Sequence, residues 1–416
     1  MSNLLKKIKN TPRIDLINYL ILIYAFTLSF PSEIKRVVAI VMIILWLTDR
    51  TKYEFILPKT NIFLFFWIFI GYCLLSYFWS DVSFNEALKY LKRYWYYLPI
   101  FIIFKYLKKE YFEYTISFFL LGMLISEILS YGNYFSIWQI GMGKPHDPTV
   151  FMQHTLYSIF LSVTTIFLMS KVIHEKDKKR KFMYLLFFTT VTINLLLNSG
   201  RTGYFTLFIT MIVVIITIYR MNLKIIFGTI IIISFVLFSA YNLSPNFKNR
   251  TYAIKSDITK VIDNSNYSTS VGARIGLWII AKEILEDNSL FGVGIANNIN
   301  KKNEYITSNN LENFSYIKTL VHFHNNFLEI ITQFGIIGLT LFAYLFYLIA
   351  KIKIEDKTIY ILKISTLCIF FLGSLTDVLF YLNDTMFLFS FVIGILLAKY
   401  KLEYQDKELL LISDKY

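Results

Sequence analysis

Apolar residues arrive along this chain in runs of about 15 to 22, long enough to cross the hydrocarbon core of a bilayer as helices. Hydropathy windows place about twelve spans. They fall near residues 16–30, 34–47, 62–79, 90–104, 113–131, 151–170, 182–198, 203–219, 223–241, 325–352, 358–377 and 383–399. The second and fourth are short or polar. The pattern predicts an all-α polytopic membrane protein. Nine helices lie within residues 1–241 and three within 325–402, and 403–416 form a tail. Residues 242–324 break the rhythm: this polar stretch is far longer than an ordinary connection. It carries a helical pattern of its own over 273–286, with Trp278, Ile279 and Leu285 as apolar positions. It reads as a subdomain outside the membrane plane.

Composition removes the soluble alternatives. Of 416 residues, 56 % are hydrophobic, 18 % aromatic and only 17 % charged, whereas a soluble chain carries roughly a quarter charged residues. Cys73 and Cys368 both sit inside apolar runs, so no disulfide framework or CxxC metal site is indicated. The net charge of +14 first suggests an anionic partner, but its distribution is topological. With the N-terminus in the cytoplasm, about 25 basic residues fall on that side and about 7 in the short outer loops. The densest cluster is Lys176, Lys178, Lys179, Arg180 and Lys181. The positive charge therefore faces membrane lipids, and no nucleic acid is expected as a partner. Both termini are then cytoplasmic and 242–324 lies outside. No small-residue cleavage site follows the first apolar run, which reads as a retained helix.

Ionisable groups at membrane depth are functional candidates. Arg201 lies in Leu197-Asn198-Ser199-Gly200-Arg201-Thr202-Gly203-Tyr204, at an outer-face break where two glycines allow a sharp turn. It reads equally as a guanidinium snorkelling from a helix end and as an anion site whose planar fork matches phosphate oxygens. Arg274 and Trp278 are four apart and share one helical face; taken singly, Arg274 reads as a solvated charge. His322 and His324 lie in His322-Phe323-His324-Asn325-Asn326-Phe327-Leu328-Glu329. Residues i and i+2 diverge on a helix, although both could line a strand or loop. A histidine at a water–membrane boundary can act as a neutral general base; an asparagine-capped helix start is the plainer reading. Zinc would need further ligands at suitable spacing. The remaining His146, His154 and His174 do not supply them, so neither metal nor cofactor is expected. Lys89, Lys92 and Arg93 form a candidate second phosphate patch, and Glu127 is a lone acid inside the fifth span.

Three patterns occur in a fixed order: Ser199-Gly200-Arg201-Thr202-Gly203-Tyr204; then Arg274-Ile275-Gly276-Leu277-Trp278 with Leu290-Phe291-Gly292-Val293-Gly294; then His324-Asn325-Asn326-Phe327-Leu328-Glu329 with Gly335-Ile336-Ile337-Gly338. In order, spacing and topology the chain resembles the O-antigen ligase and polymerase superfamily. The specific resemblance covers Asn198 to Gly338, and the Gly-Arg-Thr-Gly-Tyr form is more similar to the lipopolysaccharide O-antigen ligase branch. The resemblance implies a multi-pass protein of the bacterial inner membrane with a periplasmic loop between helices 9 and 10. It implies a metal-independent, inverting glycosyltransferase without a cofactor. The donor would be a glycan on undecaprenyl diphosphate and the acceptor a lipid A–core sugar hydroxyl. Counterparts of Arg201 and Arg274 would bind the diphosphate, and that of His324 would activate the acceptor. His322, Lys89, Arg93 and Trp278 are secondary candidates. The same fold would serve an O-antigen or capsule repeat polymerase or a protein O-oligosaccharyltransferase. A lipid-linked glycan transporter is the alternative from another class.

Overall fold

The computed structural model describes residues 12–49, 61–243 and 245–413. The basic start Met1–Lys7, and with it the expected cytoplasmic N-terminus, lies outside the described residues, as does the end of the expected tail. The helices run in chain order: α1 (Arg13–Thr27), α2 (Ser32–Leu47), α3 (Ile62–Leu75), α4 (Phe84–Leu91), α5 (Leu98–Tyr106), α6 (Lys109–Tyr134), α7 (His154–His174), α8 (Lys178–Leu197) and α9 (Arg201–Tyr219). They continue with α10 (Leu223–Leu243), α11 (Pro245–Asn264), α12 (Ser270–Asn288), α13 (Asn298–Ser308), α14 (Ser315–Lys318), α15 (Asn326–Lys351), α16 (Lys357–Ser374) and α17 (Asn383–Ser413). No strand occurs among the described residues; one isolated bridge joins Lys144 and Asp147.

Among the described residues nine helices are long and apolar enough to cross a membrane, so the chain is a multi-pass, all-helical membrane protein. They correspond to nine of the twelve expected spans. The other three are shorter. α1 has 15 residues and α2 has 16, below the roughly 20 needed to span the hydrocarbon core. The expected span 90–104 is divided: Lys92–Tyr97 is 3₁₀-helical and α5 follows with Pro99 in its first turn, where the missing N–H costs nothing. All three still contribute Ile17, Tyr24, Met42, Ile100 and Phe104 to the main apolar core. Helices α7 and α17 lie deepest in that core, while α10 leaves Phe227, Phe235 and Phe238 exposed, as lipid-facing positions should be.

The stretch 242–324 folds into helices, as its pattern suggests. α11 to α14 follow α10, and Leu277, Ile280, Ile284, Phe314, Ile317 and Phe323 make a separate small core. The Thr269 hydroxyl caps α12 by accepting from the Gly272 N–H. Tyr267 packs against Phe314 with the rings tilted and their centroids 4.4 Å apart.

This subdomain is joined to the long span behind it by backbone hydrogen bonds. The N–H groups of Val293 and Gly294 donate to the carbonyls of Thr332 and Gln333, both at 2.9 Å, and Ile336 N–H donates to Ser289 O at 2.9 Å. The Thr332 and Gln333 carbonyls and the Ile336 N–H are available because α15 is broken at Gly335, whose φ is +62°. A Cβ there would lie 2.2 Å from the carbonyl oxygen of Leu290. Gly335→Ala therefore combines a left-handed residue with a backbone collision. It should cost at least ~2 kcal/mol. The purified protein should melt earlier and the subdomain should lose its register; an unchanged melting midpoint would contradict this account.

Candidate active site

The three sequence patterns converge on one short turn between α16 and α17. The first brings Arg201, the opening residue of α9. Its approach is ordered by Asp147, whose carboxylate accepts from Ser199 N–H at 3.2 Å and pairs with His154 Nδ1 at 3.0 Å. The glycines on either side act differently from the expectation. Gly200 and Gly203 have no positive φ. They permit close approach instead: a Cβ on Gly203 would fall 2.3 Å from the Ser158 Cβ, so α9 packs hard against α7. Arg201 lines a cavity of about 380 Å³ between α9 and α11, with Tyr204, Phe208 and Phe247.

Arg274 projects from the first turns of α12. Its Nε donates to the Thr376 carbonyl at 3.1 Å, and its Nη1 to the Ser270 carbonyl and hydroxyl at 2.9 and 3.0 Å. Burial lowers its pKa; Asp377 opposes this and the positive charge of Arg201 adds to it. The two guanidinium groups are thus close enough to feel each other, an arrangement that favours a doubly charged anion between or beside them. The Thr376 hydroxyl pairs with that of Thr202 at 2.9 Å, tying the same turn to α9. Trp278, one turn beyond Arg274, is exposed.

The histidines enter from the other direction. Asn325 caps α15 by accepting from the N–H groups of Phe327 and Leu328, as the plainer reading of this run proposed. Its Nδ2 reaches the Leu375 carbonyl at 3.2 Å. Just before it the chain is neither helix nor strand. His324 has a left-handed φ of +47°, so the two rings do not diverge: their centroids are 4.2 Å apart. His324 Nδ1 lies 3.6 Å from Asp377 Oδ1, slightly long for a formed hydrogen bond but close enough to fix which nitrogen faces the acid. Burial alone would raise the Asp377 carboxyl; His324, the Val378 N–H at 2.8 Å and His322 together outweigh it and the pKa falls. His322 is pushed down to about 4, by burial first and then by the neighbouring His324. It is neutral in any physiological range.

Asp377 was not anticipated as a site residue, because the expected span 358–377 absorbed it as a terminal helix position. The signal was an acid at the end of an apolar run. With the histidines it completes a set of three ligand-type groups, His322, His324 and Asp377, whose donor atoms lie within 4.8 Å of one another. These residues could hold a divalent cation. Spacing along the chain does not disclose this set, because Asp377 lies far from the histidines in sequence and joins them only in the fold. Of the basic patch, Arg93 is drawn towards the site: its guanidinium lies 3.3 Å above the Tyr381 ring, whose centroid is 6.1 Å from that of His322. Lys89 stays exposed on the rim of a neighbouring cavity.

Residues 185–343 match the O-antigen ligase family. The match spans Arg201, Arg274 and both histidines, and it supports placing the chain in the O-antigen ligase and polymerase superfamily. An uncharacterized protein of Haemophilus influenzae is 26 % identical over 269 residues, which cover 61 % of this chain. The aligned part is 64 % of that relative, just under two thirds of its own length.

Proposed function

We propose that the protein is a glycosyltransferase of the O-antigen ligase type. It would move a glycan from undecaprenyl diphosphate to a lipid A–core sugar hydroxyl, on the periplasmic face of the inner membrane. The observation that carries this reading is the turn at Thr376–Asp377: one of its residues holds Arg274 and Thr202, and the next faces His324. A diphosphate is already a good leaving group, so it needs charge stabilisation more than protonation. Arg201 and Arg274 are suited to supply it. The acceptor hydroxyl is a poor nucleophile. With Asp377 drawing the Nδ1 proton, His324 presents Nε2 as the base. The hydroxyl proton passes to Nε2, its oxygen bonds to the anomeric carbon, and the carbon–diphosphate bond breaks with its electron pair leaving on the phosphate oxygen. Attack opposite the leaving group inverts the anomeric centre.

The test is transfer in proteoliposomes containing the full chain, a polyprenyl-diphosphate-linked glycan and lipid A–core, with products separated on a gel. Glycan appearing on lipid A–core is the expected result. Lengthening of the lipid-linked glycan with lipid A–core unmodified would instead make this a repeat polymerase. A chelator should leave the rate unchanged. If it abolishes transfer and a divalent cation restores it, the histidine–aspartate cluster is a metal site and the general-base assignment falls.

The orientation is separately testable. Ser268 is exposed in the subdomain, while Cys73 is buried and Cys368 half-buried. Ser268→Cys should react with an impermeant thiol reagent added to intact spheroplasts. Reaction only after lysis would invert the topology.

A further inference from the structure

A second basic cavity, of about 790 Å³, is lined in part by Tyr381, whose ring centroid lies 6.1 Å from that of His322. Arg36 from the first turns of α2, Lys89 from α4, and Lys92 and Arg93 just after it line its walls, and Tyr381–Asp384 close one side. Two carboxylates also face it. Asp384 is already engaged: Lys35 Nζ and Ser32 Oγ both lie 2.6 Å from its Oδ1. Glu33 is largely exposed and only loosely paired with Arg36, at 3.8 Å. Positive charge is therefore in excess.

Two arginines dominate these walls. Arg36 Nε and Arg93 Nη1 are buried from solvent and have no hydrogen-bond acceptor. A guanidinium with N–H donors to spare is suited to phosphate oxygens, which can accept several hydrogen bonds at once. Arg93 is also held flat by its stack on Tyr381 at 3.3 Å, which leaves its edge to meet an acceptor in plane. Under the orientation proposed above, this cluster lies on the face where basic residues are scarce, so topology does not account for it. Trp95, Phe151 and Met152 on the same walls supply the apolar surface that a lipid-linked ligand would need.

We propose that this cavity binds phosphate groups on the second lipid-linked substrate, the glycan acceptor. The assignment rests on the glycosyl-transfer reading. Arg274 reaches the histidine pair through Thr376 and Asp377; Arg93 reaches it through Tyr381, four residues further along the same turn. The histidines then stand between one anion site for the donor and another for the acceptor. Two ligands carry the required chemistry: a phosphorylated lipid A–core, or a second polyprenyl-diphosphate glycan.

The test is binding to the full chain in detergent, comparing wild type with the double variant Arg36→Gln/Lys92→Gln. Probes are bisphosphorylated lipid A, its dephosphorylated form, farnesyl diphosphate and phosphatidylglycerol. If the acceptor is phosphorylated lipid A–core, the double variant should bind bisphosphorylated lipid A about tenfold more weakly or worse, with the dephosphorylated form unaffected. If it is a second polyprenyl diphosphate, wild type should bind two equivalents of farnesyl diphosphate and the double variant one. Glu33→Gln, which releases Arg36, should tighten whichever ligand is bound and guards against a merely misfolded double variant. Unchanged binding of both phosphorylated probes would overturn the proposal. So would an equal loss for the dephosphorylated lipid, or full competition by phosphatidylglycerol, which would make the cavity a general lipid contact. Failure of the glycosyl-transfer reading looks different: the binding differences persist but no glycan moves. Failure of this site alone leaves transfer intact, with an unchanged KM for acceptor in the double variant.

Discussion

His324→Ala is expected to lower glycan transfer by about 10²-fold or more while donor binding survives. The imidazole is partly open to the site, and Asp377 lies on its Nδ1 side at 3.6 Å. Removing it takes away the proton acceptor and leaves the arginines in place. Asp377→Asn should cost less, since the base remains but its tautomer is no longer enforced. His322→Ala should also cost less. His322 Nδ1 faces the backbone N–H of His324 at 3.4 Å, which gives it the role of a support. The pH profile separates the two rings. With its pKa near 4, His322 stays neutral above about pH 5, so an acidic fall in rate through pH 6 to 7 must arise from another group. That limb should survive in His322→Ala. Normal transfer by His324→Ala beside a dead His322→Ala would show that the roles are reversed. Normal transfer by both would leave positioning and leaving-group stabilisation as the whole mechanism.

Arg201→Lys and Arg274→Lys should each reduce transfer by about 10²-fold, the cost of losing one well-placed donor to a developing anion. Lysine keeps the charge but not the planar fork. Arg274 makes the stricter case. Its Nε holds the Thr376 carbonyl and its Nη1 the Ser270 oxygens, and a single ammonium cannot keep the turn in place and also present an edge to phosphate. The measurement is transfer rate in stably inserted protein, with farnesyl diphosphate binding alongside. Full activity in both variants would remove the diphosphate assignment, because a guanidinium that merely snorkels tolerates lysine.

The apolar runs disclosed the long helices directly, since each must bury or expose a continuous length of side chains to lipid. The helix around Arg274 and the cap at Asn325 were legible for local reasons, period and asparagine, and the break before Arg201 was marked by glycines that in the structure serve close packing rather than a left-handed turn. Gly335 was not, because a lone glycine in an apolar run reads as helix, and only the arrival of residues 289–294 from elsewhere in the chain explains the break. The pairing of the histidines was hidden by the left-handed backbone of His324, which no periodicity reports. Arg36 was invisible as a site residue because its unpaired Nε matters only once α2 and Lys92–Tyr97 are neighbours in space. The expected span 90–104 is divided in the structure, a division not legible in the sequence because an apolar run does not distinguish an α-helix from a 3₁₀ turn.

The turn at residues 375–378 also bears on how the protein becomes active during synthesis. Arg201, Arg274 and both histidines are already translated when residue 343 leaves the ribosome, and the family match ends there. Yet the groups that fix Arg274, Thr202 and His324 in register, Thr376 and Asp377, come later, between α16 and α17. A nascent or prematurely terminated chain would carry every recognisable motif and still lack the clasp that assembles them. Under the glycosyl-transfer reading, activity would then wait until α16 and the turn behind it have been made.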